Sequence, residues 1–176
     1  MDTHTFQLTA QGLVLRPWMS DDLDVMQELF DEPDVAYRTP LESPFDQTAA
    51  LRYLHSLQQA RRGNKRIHLA ITTDGQQALG EVLLNQVTGS IGYIVGAAHR
   101  RQRLAVRAVQ AVTVYVHTSA ALPRVILEIE PDNHPGIAVA RSAGFHPANS
   151  ASETVTDKGR AYEILAWEDH PTVSRG

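Results

Sequence analysis

The sequence predicts a mixed α/β fold, with a central mixed sheet of about seven strands flanked by about four helices. One observation is the stretch from Arg66 to Val95, where short runs of strand-forming residues are separated by the turn signals Asp74-Gly75 and Gly89. The other is that apolar residues recur three and four positions apart on both sides of this stretch, which is typical of helices that cover a sheet. Together they predict one layered domain spanning residues 1–176.

The predicted elements follow the order β-α-α-β-β-β-α-β-α-β-β. The first helix begins at the capping hydroxyl of Ser20 and ends before Pro33, and a loop through Tyr37 leads to the second helix. The other predicted elements are a first strand from Leu13 to Arg16, a helix from Asp46 to Arg62, strands from Arg66 to Thr73, Gln77 to Asn85 and Ser90 to Val95, a long helix from Arg100 to Ser119, a strand from Val125 to Glu130, a short helix from Pro135 to Ala143, and a two-stranded ribbon from Phe145 to Trp167 that turns at Asp157 to Arg160.

Composition narrows the class of protein. The hydrophobic fraction of 43% supports a proper core, and the absence of cysteine excludes disulfides, thiolate metal ligands and a cysteine nucleophile. The eight histidines are scattered, so no metal site is expected. The chain does not open with a basic run followed by an apolar stretch, and it has no run of about 18 apolar residues. We therefore expect a cytoplasmic protein that makes no membrane contact.

Arginine is concentrated in one segment. Between Val82 and Leu127 there are five arginines and no acidic residue, although the whole chain has a net charge of −4. A local positive field in an otherwise acidic protein favours a specific anion, such as a phosphate group. The acidic remainder of the chain and the lack of aromatic residues among the arginines argue against a nucleic-acid partner. A solvated helix end is the alternative interpretation of the arginine cluster.

Two strand-to-helix junctions are candidate functional sites. In the first, the strand from Ser90 to Val95 leads into the helix that begins with HRRQRLA at His99, so free backbone N–H groups at the helix start could bind a pyrophosphate. An ordinary βα crossover is the alternative there. In the second, a buried strand ends at Pro131 and Asn133 starts a short helix, where a simple helix cap is the alternative.

The order of elements and both junctions resemble the GNAT N-acyltransferase superfamily, and more closely its Rim-type branch of ribosomal-protein N-acetyltransferases. The resemblance covers nearly the whole chain and rests on four segments in the family's order and spacing. These are LVLRPWMSDDLD (Leu13 to Asp24), IGYIVGAAHRRQRLAVRAV (Ile91 to Val109), PDNHPGIAVARSAGF (Pro131 to Phe145) and GRAYEILAW (Gly159 to Trp167).

The resemblance implies acetyl-CoA as co-substrate and no metal. It places the pantetheine arm against Ile94, Val95 and Gly96, and an oxyanion near the backbone N–H of Val95. Asn133 would contact the coenzyme near its thioester. The pyrophosphate would be wrapped by the loop residues Arg100, Arg101, Gln102, Arg103, Leu104 and Ala105.

The sequence departs from the family pattern at four positions. Arg103 stands where the phosphate loop usually has glycine, and it could either bind phosphate through its side chain or block the groove. Ser90 replaces a frequent Glu, Gly136 replaces the Ser that the Rim-type branch places near the leaving thiolate, and Ala140 replaces the Tyr that acts as general acid in many relatives. An N-terminal α-amine, with a pKa of roughly 7.7–8.0, would need less catalytic help than a lysine.

The candidate catalytic residues are Glu128, chosen first for its strand position, and His134, which follows Asn133. Glu81 and His68 are weaker candidates for a base. Tyr37 and Arg38 are expected at the acceptor-side wall, where the family has its substrate groove.

Two functions are therefore open. The first is an acyl-CoA-dependent N-acyltransferase that moves an acetyl group by direct attack to a primary amine of a protein N-terminus or small molecule. The alternative is a catalytically impaired GNAT-fold binding or regulatory protein. A homodimer is compatible with the resemblance by analogy alone.

Overall fold

The computed structural model describes residues 6–120 and 122–171. Within these ranges the chain forms nine strands and five α-helices. In chain order they are β1 (Leu8–Ala10), β2 (Leu13–Arg16), α1 (Leu23–Phe30), α2 (Pro33–Arg38), α3 (Gln47–Arg62), β3 (Arg66–Thr72), β4 (Gly80–Asn85), β5 (Ile91–Val95), α4 (Leu104–Tyr115), β6 (Val125–Ile129), α5 (His134–Ser142), β7 (His146–Pro147), β8 (Glu153–Asp157) and β9 (Arg160–Asp169).

Two sheets organise the domain. The first has the order β1-β2-β3-β4-β5, with every neighbouring pair antiparallel. The second has the order β6-β9-β7, and β8 also pairs with β9. The only described backbone bridge between the sheets is a parallel one that joins Ser90 to Ile126. Beyond this bridge β5 and β6 diverge, so the predicted mixed arrangement is confirmed in the form of two sheets that splay apart.

The core has two parts, one on each face of the first sheet. One part packs α4 and α5 against the sheets and contains Leu15, Ile71, Leu104 and Trp167. The other packs α1 and α3 against the opposite face, with Phe30 at its centre. Because alternate residues of β5 point to opposite faces, this strand contributes to both parts. Among the described helices, none combines the length and the apolar composition that a membrane crossing requires.

The start of the chain differs from the prediction in three ways. The unpredicted strand β1 pairs with β2 through a tight turn at Gln11 and Gly12, both with positive φ. Ser20 is not a helix cap: it lies in a 3₁₀ turn, and the carboxylate of Asp22 accepts the N–H of Met19 at 2.8 Å. Pro33 begins α2 rather than only ending a helix, because its missing N–H costs nothing at a first helical position.

The starts of two later elements, β4 and α4, also differ from the prediction. The β3–β4 connection is longer than a two-residue turn, so β4 begins at Gly80. Helix α4 begins at Leu104 rather than Arg100, because Arg103 has φ = 58° and cannot continue a right-handed helix backwards. The predicted turn of the last ribbon is confirmed at Lys158-Gly159, where both residues have positive φ.

Candidate active site

A cleft of about 700 Å³ opens where β5 and β6 diverge. Its walls come from β5, the loop before α4, the first turn of α4, one face of α5 along its length, and one side of α2. Nine of the residues predicted as site residues line it: Arg38, Ile94, Val95, Arg100, Arg101, Arg103, Leu104, Ala105 and Asn133.

The edge of β5 that faces the cleft is unpaired. On the other edge, Asn85 donates to the carbonyl of Ser90 at 2.8 Å and Gly96 donates to the carbonyl of Leu79 at 3.0 Å. Since the residues of an antiparallel ladder face their partner strand alternately, Tyr93 and Val95 direct their N–H and C=O groups away from β4 and into the cleft. An extended molecule could therefore bind this edge as a further strand would.

The N-terminus of α4 presents free donors to the same cleft. The first bond within this helix runs from the N–H of Arg107 to the carbonyl of Arg103 at 3.0 Å. The N–H groups of Leu104, Ala105 and Val106 therefore have no intrahelical acceptor, and no side chain caps them. All three residues line the cleft, so the positive end of the helix dipole meets it.

The loop before α4 contains no glycine, but two of its residues have the positive φ that glycine usually adopts. Arg101 has φ = 66° and Arg103 has φ = 58°, both in the left-handed region. Alternation of such residues in a loop turns successive N–H groups to one side, which makes an anion-binding concavity. Arg103 therefore has a backbone conformation that glycine usually adopts, and it adds a guanidinium group to the cleft lining.

Positive charge dominates this end of the cleft. Arg100, Arg101, Arg103 and His99 line it, and the described acidic residue in the lining is Asp34 of α2. Arg100 makes an ion pair with Asp34, and both side chains are about half exposed. A pair this exposed contributes little stability, so a phosphate group could compete with Asp34 for Arg100.

Asn133 caps helix α5 and also lines the cleft. Its Oδ1 accepts the N–H of Gly136 at 3.1 Å, which caps α5 as predicted. Its Nδ2 donor has no partner among the described residues, and the residue lines the cleft. A Cβ at position 136 would lie 2.8 Å from this Nδ2, so the amide occupies the space that a serine side chain would need there.

Glu128 lies on the opposite face of β6 from the core that packs on α4. Leu127 and Ile129 are buried in that core, whereas Glu128 between them is exposed. Its Oε2 accepts the hydroxyl of Ser90 at 3.0 Å, and no described cation pairs with it. Counted from the Ser90–Ile126 bridge, Glu128 is level with Gly92 at the base of the splay, and it does not line the cleft.

Helix α2 is held to the second sheet by a group of ion pairs. Arg38 contacts the buried carboxylate of Glu130 and donates to Asp132 at 2.8 Å. Arg160 of β9 donates to the same Glu130 at 2.6 Å and to the carbonyl of Tyr37 at 2.8 Å. The hydrogen bond from Arg38 holds the pKa of Asp132 below its usual range. These contacts fix the position of α2 at one side of the cleft.

Tyr37 lies outside the cleft lining but beside this wall. Its ring is half exposed and stands between the guanidinium groups of Arg38 and Arg160, 4.9 and 4.0 Å from the ring centroid. Lys158 donates to the carbonyls of Ala36 and Thr39 and so holds the same end of α2. The predicted acceptor-side residues are thus together, with Arg38 in the lining and Tyr37 behind it.

The other predicted residues lie elsewhere. Gly96 binds Leu79 through its backbone and faces α1, where a Cβ would meet Leu29 at 2.3 Å. Gln102 and His134 are exposed and do not line the cleft. Glu81 and His68 form a separate buried cluster on the far side of β4.

Sequence reasoning missed Tyr93, His99 and Asp34. Burial raises the pKa of Tyr93 to about 12, so its phenol stays neutral. The period-two pattern of β5 could have identified Tyr93 as an edge residue next to Val95, since it is two positions away on the same side. Asp34 carried no signal, because its position depends on α2, which the sequence did not predict.

The comparisons with known proteins agree with this geometry. The sequence profile of the acetyltransferase (GNAT) domain matches residues 12–146. The chain is 25% identical over 168 residues to the uncharacterized N-acetyltransferase p20 of Bacillus licheniformis, covering 91% of this chain and 93% of that protein.

Solved structures share the fold. An acetyltransferase of the GNAT family from Bacillus anthracis superposes with a TM-score of 0.79 at 17% identity, covering 94% of this chain and 98% of that one. RimJ of Mycobacterium smegmatis, solved in complex with CoA-disulfide, superposes with a TM-score of 0.75 at 20% identity, covering 94% and 86%. At these identities the likeness concerns the fold.

Proposed function

Because the chain belongs to the GNAT acetyltransferase family, we propose that it transfers an acetyl group from acetyl-CoA to a primary amine of a protein N-terminus or a small molecule. The observation that carries the proposal is the continuity between the open β5 edge and the free N-terminus of α4. Both line one cleft, and the arginine loop lies between them. This arrangement suits a ligand with an extended amide-containing arm and a pyrophosphate.

The donor would lie along β5. The N–H and C=O groups of Tyr93 and Val95 would pair with the amides of the pantetheine arm, while the donors of Leu104, Ala105 and Val106 would bind the pyrophosphate. Arg103 would add a charge-assisted bond from its side chain. The same β5 N–H groups could stabilise the oxyanion that forms on the attacked carbonyl.

The acceptor amine would approach from the side of α2. Its nitrogen attacks the thioester carbon, the carbon–sulfur bond breaks, and the thiolate of coenzyme A leaves. Glu128 would take the proton from the amine, because it lies on β6 at the base of the splay and makes no described ion pair. Since Glu128 does not line the cleft, the proton would reach it through a water molecule. The Nδ2 of Asn133 would donate a hydrogen bond near the thioester sulfur. His134 is exposed, and we give it no role in this mechanism.

The departures at Ser90, Arg103, Gly136 and Ala140 favoured the non-catalytic alternative, and the sharpest of them was the possible block of the groove by Arg103. The left-handed conformation of Arg103 preserves the backbone course of a phosphate loop, and its side chain borders an open cleft. The family match and the cleft both support an enzyme, so we do not propose the alternative. A cytoplasmic location and a homodimer remain predictions.

The test is release of the coenzyme thiol from acetyl-CoA in the presence of defined amines. We would use three peptides with free N-terminal Ser, Ala or Met, their N-acetylated forms as matched controls, and spermine as the small amine. We expect turnover with at least one free amine and none with the blocked peptides, with the added acetyl group located by mass spectrometry. Thiol release that is the same with free and blocked peptides would contradict N-acetyl transfer.

A further inference from the structure

A second cleft, of about 270 Å³, lies at the edge of β3, and it shares no lining residue with the coenzyme cleft. It exists because β2 is shorter than β3. The last β2–β3 pair joins Arg16 to Ala70, and Pro17 then ends β2, so the first half of β3 has no described neighbour on that edge.

The unpaired edge offers backbone groups to this cleft. On the other edge, Gln86 donates to the carbonyl of Lys65 at 2.8 Å. By the alternation of an antiparallel ladder, Arg66 and His68 therefore direct their N–H and C=O groups away from β4 and into the cleft. Both residues line it.

A buried carboxylate orients His68 beneath the cleft. Glu81, which is 1% exposed, accepts the Trp18 indole N–H at 2.7 Å and the Tyr53 hydroxyl at 2.6 Å, and its Oε1 is 3.3 Å from His68 Nδ1. Burial, together with the charge of Glu81, raises the pKa of Tyr53, which stays a neutral donor. Both carboxylate oxygens of Glu81 therefore have hydrogen-bond partners. By contrast, His68 Nε2 has no described partner and is available to a ligand.

The charged residues in the lining of the cleft are arginines. Arg61 and Arg66 are exposed at its mouth, and no described lining residue is acidic. The walls between the mouth and His68 are mainly apolar and aromatic, formed by Trp18, Leu54, Leu57, Ile67, Leu69 and Tyr115. Cations at the mouth and an apolar interior match a molecule that has an anionic group and a small apolar body.

We propose that this cleft at the β3 edge is a second binding site, which takes a small carboxylic acid with an aromatic or branched apolar body. The carboxylate binds Arg66 and Arg61, and the body packs against Trp18 and Leu57. The volume of about 270 Å³ holds roughly one ring and its side chain, because drug-sized ligands occupy pockets of about 300–1,000 Å³.

Calorimetric titration of the full chain with phenylacetate, phenylacetamide and phenethylamine tests the charge assignment without any mutation. We expect saturable binding of phenylacetate, and binding at least about tenfold weaker for the neutral and cationic analogues, because they lose the charge-assisted bonds. Equal binding of all three, or no binding of phenylacetate at millimolar concentration, would overturn the proposal.

Variants then locate the site. Arg66→Ala should weaken phenylacetate binding by about tenfold, whereas Arg62→Ala, an exposed neighbour outside the lining, should change it by less than about twofold. Arg100→Ala should also leave it unchanged, and a loss in that variant would place the anion in the coenzyme cleft and overturn the proposal. Trp18 is one of two tryptophans, so phenylacetate should change the fluorescence of the native chain and not that of Trp18→Phe.

Discussion

The hydroxyl of Ser90 donates to Oε2 of Glu128 at 3.0 Å, across the point where the two sheets meet. This bond joins β5 to β6 at the base of the splay. It fixes the Glu128 carboxylate at the base of the splay, outside the cleft lining. The relationship is the structural basis for assigning the general base to β6.

Glu128→Gln should lower kcat by about 10²–10⁴-fold, the usual contribution of a positioned base, and leave the KM for acetyl-CoA nearly unchanged. Glu163→Gln is the matched control, because Glu163 is likewise an exposed carboxylate that accepts a serine hydroxyl, that of Ser152, and lies on β9 rather than at the splay. Initial rates with the best peptide or spermine acceptor measure both constants. An unchanged kcat in Glu128→Gln would remove Glu128 from the mechanism.

Substitutions at Arg103 should separate backbone strain from charge. Because φ is 58°, Arg103→Gly should have a free energy of unfolding about 1 kcal/mol higher than Arg103→Ala. At Arg100, where φ is −67°, the order of the same two substitutions should reverse. Urea denaturation of the four variants measures this, and an identical order at both positions would contradict the left-handed loop.

Two variants of Asn133 should separate its capping of α5 from its proposed contact with the coenzyme. Asn133→Asp keeps an oxygen that can cap α5, so the free energy of unfolding should change little, but it removes the Nδ2 donor and should weaken coenzyme binding. Asn133→Ala loses both and should also lower the free energy of unfolding by about 1 kcal/mol. Thermal unfolding and titration with CoA measure the two effects. If Asn133→Asp binds CoA as tightly as the native chain, the Nδ2 donor has no role in binding.

Glu130 should be important for stability. Glu130→Gln leaves Arg38 and Arg160 without their shared buried anion, so the free energy of unfolding should fall by about 3 kcal/mol. The exposed pair Arg52–Glu42 provides the control, and Glu42→Gln should leave stability unchanged. Denaturant unfolding measures the loss of unfolding free energy in each variant. Equal losses in Glu130→Gln and Glu42→Gln would show that Glu130 does not anchor α2.

The pair between Arg38 and Asp132 should be visible in a carboxyl titration by NMR. The pKa of Asp132 is lowered in the folded chain, so the pair stabilises the fold above the ordinary Asp pKa of about 3.9. This contribution is lost as the pH falls through the lowered pKa. In Arg38→Ala the pKa should rise toward its ordinary value, and an unchanged pKa would show that Arg38 is not its cause.

Much of the fold followed from local patterns. Strands β3 and β5, helix α3, the cap at Asn133 and the turn at Lys158-Gly159 were predictable, since alternation, helical spacing and turn residues report directly on backbone geometry. Helix α2 was not, because Pro33 can either end a helix or begin one. The ion pairs that hold α2 were not predictable either, since Glu130 and Arg160 are brought to α2 by pairing between β6 and β9 that has no local sequence signal.

The loop before α4 is a second case in which the sequence could not predict the backbone conformation. The sequence indicated that Arg103 replaces a glycine but could not say whether the loop keeps its course. The backbone dihedral of Arg103 depends on how β5 and α4 are held by the two cores, which is a property of the whole fold.

Calorimetric titration with acetyl-CoA and with free CoA tests the central claim most directly. We predict saturable binding with a Kd of about micromolar order. Arg103→Ala should weaken it by about tenfold, while Arg124→Ala should not, because Arg124 lies outside the cleft and pairs with Glu168. Absence of binding of either ligand at millimolar concentration would contradict the coenzyme site and with it the proposed acetyl transfer.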